Sequence, residues 1–113
     1  MTVSELAIFT DDVSKMAAFY ERLLGAVPIQ RGEKIAIFRV GTVQLLIHET
    51  YEAKPGNVPC ENHTAFLVED VDQSASELEA NGLSIEIAPR AFDWGRSAYL
   101  RDPDGHLLEI HGR

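Results

Sequence analysis

The stretch Arg101-Asp102-Pro103-Asp104-Gly105-His106-Leu107-Leu108-Glu109-Ile110-His111-Gly112-Arg113 is the one around which the other segments must be fitted. Asp-Pro-Asp-Gly reads as a turn: Pro103 presets its φ, Asp104 can bond its own backbone, and Gly105 accepts the left-handed conformation that lets a strand begin at once. A hairpin is the expected result. In the strand that follows, Leu107, Glu109 and His111 share one face while Leu108 and Ile110 share the other. One face is thus apolar, and the other carries a carboxylate and an imidazole that need partners if buried, because an unpaired buried charge costs several kcal/mol or loses its ionisation.

Working outward, the remaining sequence divides into two similar halves. Ser4 to Thr10 reads as a strand with Glu5, Ala7 and Phe9 on one face and Leu6 and Ile8 on the other. Asp12 offers an N-cap to a helix carrying Val13, Met16, Ala17, Tyr20, Leu23 and Leu24, and Gly25 stops it. Three short strands are expected at Val27 to Gln30, Lys34 to Val40 and Val43 to His48, separated by Arg31-Gly32-Glu33 and Gly41-Thr42. Tyr51 to Asn62, with Lys54-Pro55-Gly56-Asn57 and Pro59, has no period and reads as a linker. A shift of 58 positions then carries Glu5, Asp12 and Val13 onto His63, Asp70 and Val71, and Gly25 recurs as Gly82 after one fewer. His63 to Val68 is a strand, Asp70 caps a helix with Val71, Ser74, Ala75 and Leu78, and Asn81-Gly82 closes it. Strands at Leu83 to Ile87, Ser97 to Leu100 and His106 to His111 complete the second half. The fold class is therefore α+β, two tandem βαβββ modules at about 3–50 and 63–112, joined by a linker at about 51–62.

At 113 residues and 12.5 kDa, one domain spanning 1–113 is expected. A net charge of −8 argues against nucleic acid, which requires clustered Lys and Arg, and would suit a cationic ligand or a metal ion. The single cysteine, Cys60, excludes an intramolecular disulfide, and it lies in the linker without a basic neighbourhood that would make it a nucleophile. No apolar run approaches the ~20 residues of a membrane span, so a cytoplasmic protein with no membrane partner is expected.

Asp12-Val13 through Phe19-Tyr20-Glu21-Arg22-Leu23-Leu24-Gly25, His63 through Asp70-Val71 and Asn81-Gly82, and Tyr99 through Asp102-Pro103-Asp104-Gly105-His106 and Glu109 together resemble the vicinal oxygen chelate superfamily. That superfamily includes glyoxalase I, bleomycin-resistance proteins, fosfomycin-resistance thiol transferases, methylmalonyl-CoA epimerase and extradiol dioxygenases. The resemblance implies modules whose sheets curl into an open cup with helices outside, a ligand site inside, and pairing into a homodimer. By position it also implies that Glu5, His63 and Glu109 are metal ligands, Glu109 being catalytic as well. The face assignments read from alternation agree. Two carboxylates and one imidazole facing one cavity would repel as bare groups, and a divalent ion would neutralise them.

The fourth ligand position departs from the pattern. Matching Leu45-Leu46-Ile47-His48 to Leu108-Glu109-Ile110-His111 sets Leu46 against Glu109, whereas matching Gly41 to Gly105 sets Leu45 there; Gln44 or His48 could substitute if the register slips. Trp94, Arg96 and Tyr99 precede the final turn, where relatives line the cup, and are the candidates for ligand binding. His48, His106 and His111 read as structural or surface residues, with His111 the one that shares a face with Glu109. Two function classes follow. One is a lyase, isomerase or transferase using Mn, Fe, Co, Ni, Mg or Zn on a small substrate with vicinal oxygens; the other is a metal-free binding protein of the bleomycin-resistance kind.

Overall fold

The structure, a computed structural model, describes residues 1–112; Arg113 lies outside the described residues. Elements follow in the order β1 (Thr2–Thr10), α1 (Val13–Leu24), β2 (Gln30–Arg31), β3 (Ile35–Val40), β4 (Val43–Glu49), β5 (His63–Leu67), α2 (Val71–Ala80), β6 (Ile85–Phe92), β7 (Gly95–Arg101) and β8 (Leu107–His111). The two βαβββ modules share one mixed sheet of order β2-β3-β4-β1-β5-β8-β7-β6. Their junction is the antiparallel β1–β5 pair, in which Glu5 lies opposite Ala65 and Ala7 opposite His63. Glu5 thus faces the repeat counterpart of Ala7, and Ala7 that of Glu5, so the duplication appears in space as an approximate two-fold axis through this pair.

Local chemistry sets the helices. Asp12 accepts a hydrogen bond from the Lys15 amide and Asp70 one from the Gln73 amide, each at 3.0 Å, a cap that stabilises by about 1 kcal/mol. Gly25 ends α1 at φ 65°, and its counterpart Gly82 adopts φ 92° just past α2. The helices then bury their apolar stripes separately. Val13 and Ala17 pack against Ala36, Phe38, Leu45 and Ile47, while Val71 and Ala75 pack against Ala98, Leu100 and Ile110. The strand registers place both packed patches on the Leu6 and Ile8 face of the sheet, leaving the Glu5 face free of helices.

Three expectations require correction. The strand expected at Val27 to Gln30 is reduced to Gln30–Arg31, because Val27 and Ile29 find nothing to pack against and remain exposed. The strand expected at Leu83 to Ile87 runs instead from Ile85 to Phe92, passing through Pro89. An edge strand tolerates this proline, and the register against β7 shifts on both sides of Ile87. In the final turn, Gly105 takes φ 88° as expected, but the carboxylate that organises it belongs to Asp102, not Asp104. Asp102 Oδ1 accepts from the amides of Asp104 (3.0 Å) and His106 (2.8 Å).

Asp102→Ala should therefore lower stability by about 1–2 kcal/mol, whereas Asp104→Ala should stay within about 0.5 kcal/mol of wild type in urea denaturation. Equal losses would return the turn to Asp104.

Candidate functional site

The free face of the sheet opens on a cavity of about 630 Å³, within the range of small-molecule sites. Its floor is set by the pairing registers. One row across the sheet reads Gln44, Glu5, Ala65, Glu109 and Tyr99 from β4 to β7. Ala65 and its counterpart Ala7 are fully buried in the middle of the sheet, diagonal neighbours across the β1–β5 pair. The linker supplies part of the wall through Tyr51, Asn57 and Val58, and is held in place by the Tyr51 hydroxyl, which donates to the Val58 and Pro59 carbonyls.

His63 and Glu109 meet at the polar end. The Nδ1 of His63 lies 2.9 Å from the Glu61 carbonyl, which can only accept, so Nδ1 carries a proton and Nε2 is turned towards Glu109 Oε1 at 3.2 Å. The other oxygen of Glu109 accepts from the Ser97 hydroxyl at 2.7 Å and from the Trp94 indole at 3.3 Å; the indole N–H is shared with Ser97 Oγ. Burial alone would push the Glu109 carboxyl up, but the hydrogen bonds from His63 and Ser97 and the His63 charge hold it below the ordinary carboxylate value. Burial likewise pulls His63 down, and the bond to Glu109, the Glu61 carbonyl and the two carboxylate charges outweigh it, leaving its pKa raised. Tyr99, edge-on to the His63 ring, is pushed up by burial and by the Glu109 charge, so its phenol stays neutral.

Glu5 stands apart from this pair. Its Oε1 accepts from the Gln44 amide at 2.8 Å, and burial first, then the Glu109 charge, raise its pKa despite that bond. Among the described residues, no three His, Cys, Asp or Glu side chains are gathered closely enough to hold a metal ion. The structure thus brings two of the three expected ligands into contact and leaves the third on Gln44. Of the expected ligand-binding residues, Trp94 and Tyr99 line the cavity, but Arg96 does not. The guanidinium of Arg96 forks onto Asp72 at 2.6 and 2.8 Å beside α2.

Other cavity residues were not anticipated. Arg90 sits 4.6 Å over the Phe92 ring and donates to Asn57 at 3.3 Å, with no carboxylate within ion-pair distance among the described residues. Phe92 in turn stacks on Trp94 at 4.6 Å and 7°. On β1, a register irregularity between Val3 and Glu5 leaves Ser4 as the extra residue, and its hydroxyl lies 2.6 Å from Nε2 of His111, another cavity residue.

Residues 2–110 match the model of the Glyoxalase/Bleomycin resistance protein/Dioxygenase superfamily. The chain belongs to this superfamily. Its relatives include the Metallothiol transferase FosB of Shouchella clausii, 27% identical across 96% of this chain and 78% of that protein. The Glutathione transferase FosA of Serratia marcescens is 31% identical across 97% and 79%. Among solved structures, a methylmalonyl-CoA epimerase variant of Streptomyces coelicolor superposes with a TM-score of 0.76 at 20% identity, covering 99% of this chain and 94% of that one, a likeness of fold. Within the superfamily's two-module frame, the equivalent of Glu109 is Leu46: Ala7 pairs with Leu46 as Ala65 pairs with Glu109. Gln44 and His48 flank Leu46 on the same face and need no slip of register to reach the cavity.

The two carboxylates should respond differently to neutralisation in chelator at neutral pH. Glu109→Gln leaves His63, Ser97 and Trp94 without their charged partner and should cost about 2–4 kcal/mol. Glu5→Gln removes a desolvated charge and should leave stability unchanged or higher. The pH profile follows from the shifts. Glu109's lowered pKa stabilises above its ordinary 4.5 and is lost as pH falls through the folded value; His63's raised pKa stabilises below its ordinary 6.5 and is lost as pH rises through the folded value. The pair is therefore worth most between pH 4.5 and 6.5, and Glu5→Gln should gain relative to wild type only above pH 4.5, where wild-type Glu5 begins to resist ionisation. Urea melts of the three proteins across pH measure this directly.

Proposed function

We infer that the chain is a divalent-metal-dependent enzyme of the superfamily acting on a small, anionic, oxygen-bearing ligand, with its centre at His63 and Glu109. The observation that carries this reading is the meeting of His63 and Glu109. With Nδ1 on the Glu61 carbonyl, Nε2 faces Glu109 Oε1 at 3.2 Å, and a divalent ion would replace the proton that these two groups share. His63, Glu109 and Glu5 would hold the ion, Glu5 after giving up one hydrogen bond from Gln44, at a cost of roughly 1 kcal/mol. This nitrogen-and-oxygen donor set suits Mn, Fe, Co, Ni, Mg or Zn. Such an ion supplies Lewis acidity to adjacent oxygens of a bound ligand. The relatives named as thiol and glutathione transferases favour group transfer over isomerisation or lyase chemistry.

The protein's own side chains set the rest. Ser97 and Trp94 hold the Glu109 carboxylate in place, and Tyr99 presents a neutral phenol beside it. Ile35, Ile37 and Leu46 form an apolar wall that excludes water from the opposite end. Arg90, with no carboxylate partner among the described residues, offers the ligand a cation. Residues 1–113 would act as one domain, and a homodimer would cover sheet edges and the exposed Phe19, Leu23, Val27 and Ile29. Among the described residues, no helix is long and apolar enough to cross a membrane.

A second reading, a metal-free binding cavity, draws on a specific observation: His63 and Glu109 satisfy one another as an ion pair once Nε2 is protonated, while Glu5 is occupied by Gln44. Melting in chelator against each of Mn, Fe, Co, Ni, Zn and Mg separates the two. The enzyme reading expects a rise of several degrees with at least one ion, abolished by Glu109→Gln and by His63→Ala. Identical melting in every condition favours the binding cavity.

Because Trp94 is the only tryptophan and lies beside Arg90 and Phe92, its fluorescence reports on the cavity. Titration with phenylphosphonate or benzoate should perturb it, and Arg90→Ala should weaken both about tenfold, as expected for loss of a charge-assisted hydrogen bond. Equal affinity in both proteins would remove the anion from the reading.

A further inference from the structure

A side chain of the linker reaches across to β6, and the sequence around it explains how. In Lys54-Pro55-Gly56-Asn57, Pro55 presets its φ, Gly56 takes φ 82° and the Asn57 amide donates to the Lys54 carbonyl at 3.0 Å, the pattern of a type II turn. The next residue, Val58, is buried against Tyr99 and Leu107. Asn57 is thus fixed from both sides, while its side chain stays exposed at the rim of the cavity.

The side-chain amide has a defined orientation. Arg90 can only donate, so the atom that meets its Nη2 at 3.3 Å is Asn57 Oδ1, and the two N–H bonds of Nδ2 have no partner among the described residues. Arg90 likewise has donors to spare. Its Cζ lies 4.6 Å from the centre of the Phe92 ring, which restrains the guanidinium, and Asn57 takes one of its five N–H bonds. An asparagine here does what an aspartate could not: it holds the guanidinium without neutralising it. In a chain of net charge −8, that leaves a cation open to the cavity with a second set of donors beside it.

We propose that Asn57 is a ligand-binding residue and that it forms with Arg90 a seat for a two-oxygen anion, a carboxylate or phosphonate, with one oxygen on the guanidinium and another on Asn57 Nδ2. This rests on the reading of Arg90 as the cation that receives the ligand, and adds the second donor. The pairing discriminates by chemistry. A carboxylate or phosphonate engages both donors at once, whereas a hydroxyl or a carbonyl has a single oxygen to offer and no charge for the guanidinium. The ligand is therefore a small acid whose anionic group rests at the rim of the cavity.

Benzoate, followed by Trp94 fluorescence and by the side-chain amide resonances of the full chain, tests this. The Asn57 NH₂ pair is assigned by its absence from the ¹H–¹⁵N spectrum of Asn57→Ala, and saturating benzoate should move it downfield in wild type. Asn57→Ala should bind benzoate about fivefold more weakly, as for loss of one hydrogen bond at an exposed site. Asn57→Asp should bind it at least as weakly as Arg90→Ala does, because the introduced carboxylate occupies the guanidinium. Benzamide, of the same shape but neutral, should bind wild type more weakly than benzoate. Wild-type affinity for benzoate in both Asn57 variants, or an Asn57 NH₂ pair that benzoate leaves in place, overturns the seat; the Arg90 reading then stands if Arg90→Ala alone weakens the ligand. Unchanged affinity in Arg90→Ala, equal affinity for benzamide, or a wild type that binds neither benzoate nor phenylphosphonate overturns both.

Discussion

The β1–β5 pairing is the constraint on which the rest of the structure depends. It is the seam between two modules that each bury a separate helix, and its register determines which side chains of one module meet those of the other. With Glu5 opposite Ala65 and Ala7 opposite His63, the two polar residues lie diagonally across the seam and the two alanines fill the other diagonal. A slip of one residue would turn Glu5 and His63 under the helices, where neither charge has a partner. Packing of Ile8 and Phe66 against the helix-side clusters on one face therefore holds the chemistry on the other.

The modules share a frame but not a chemistry. Pairing sets Ile35 opposite His48 and Ile37 opposite Leu46 in the first, and Ser97 opposite His111 and Tyr99 opposite Glu109 in the second. Of these four places one holds a histidine in both halves, and the other three carry aliphatic side chains in the first and a hydroxyl, a phenol and a carboxylate in the second. The cavity inherits a dry end and a polar end, and a ligand filling it would be held by contact at one and oriented at the other. The polar end is also where charges influence one another, since a carboxylate with three donors around it behaves differently from one held by a single amide. That difference separates Glu109 from Glu5.

The linker and β6 complete the enclosure, and both do so by irregular backbone. Tyr51, Asn57 and Val58 fold back over the sheet, and the irregularities flanking Ile87 turn Arg90 and Phe92 to the cavity side. Without them, alternation from Ile87 would direct Arg90 outwards and Ala91 inwards. The guanidinium is therefore offered to the cavity by a local defect in an edge strand, where such a defect costs least.

The sequence by itself determined the two modules, their caps and the face shared by Glu5, His63 and Glu109, because helix and strand periods and the 58-residue repeat are local properties that burial on one face reinforces. It also contained the reason to leave Arg96 out, since Ser97 and Tyr99 on the cavity face require their neighbour Arg96 to point away. Tertiary structure decided what periodicity cannot carry. Pairing of Ala7 with Leu46 chose between two alignments of the fourth position, irregularities in β1 and β6 brought Ser4 against His111 and Arg90 to the cavity, and Arg101 forked onto the Glu61 carboxylate near His63. Each depends on contacts between residues distant in sequence or on an extra residue that breaks the alternation, and neither leaves a mark in the local pattern.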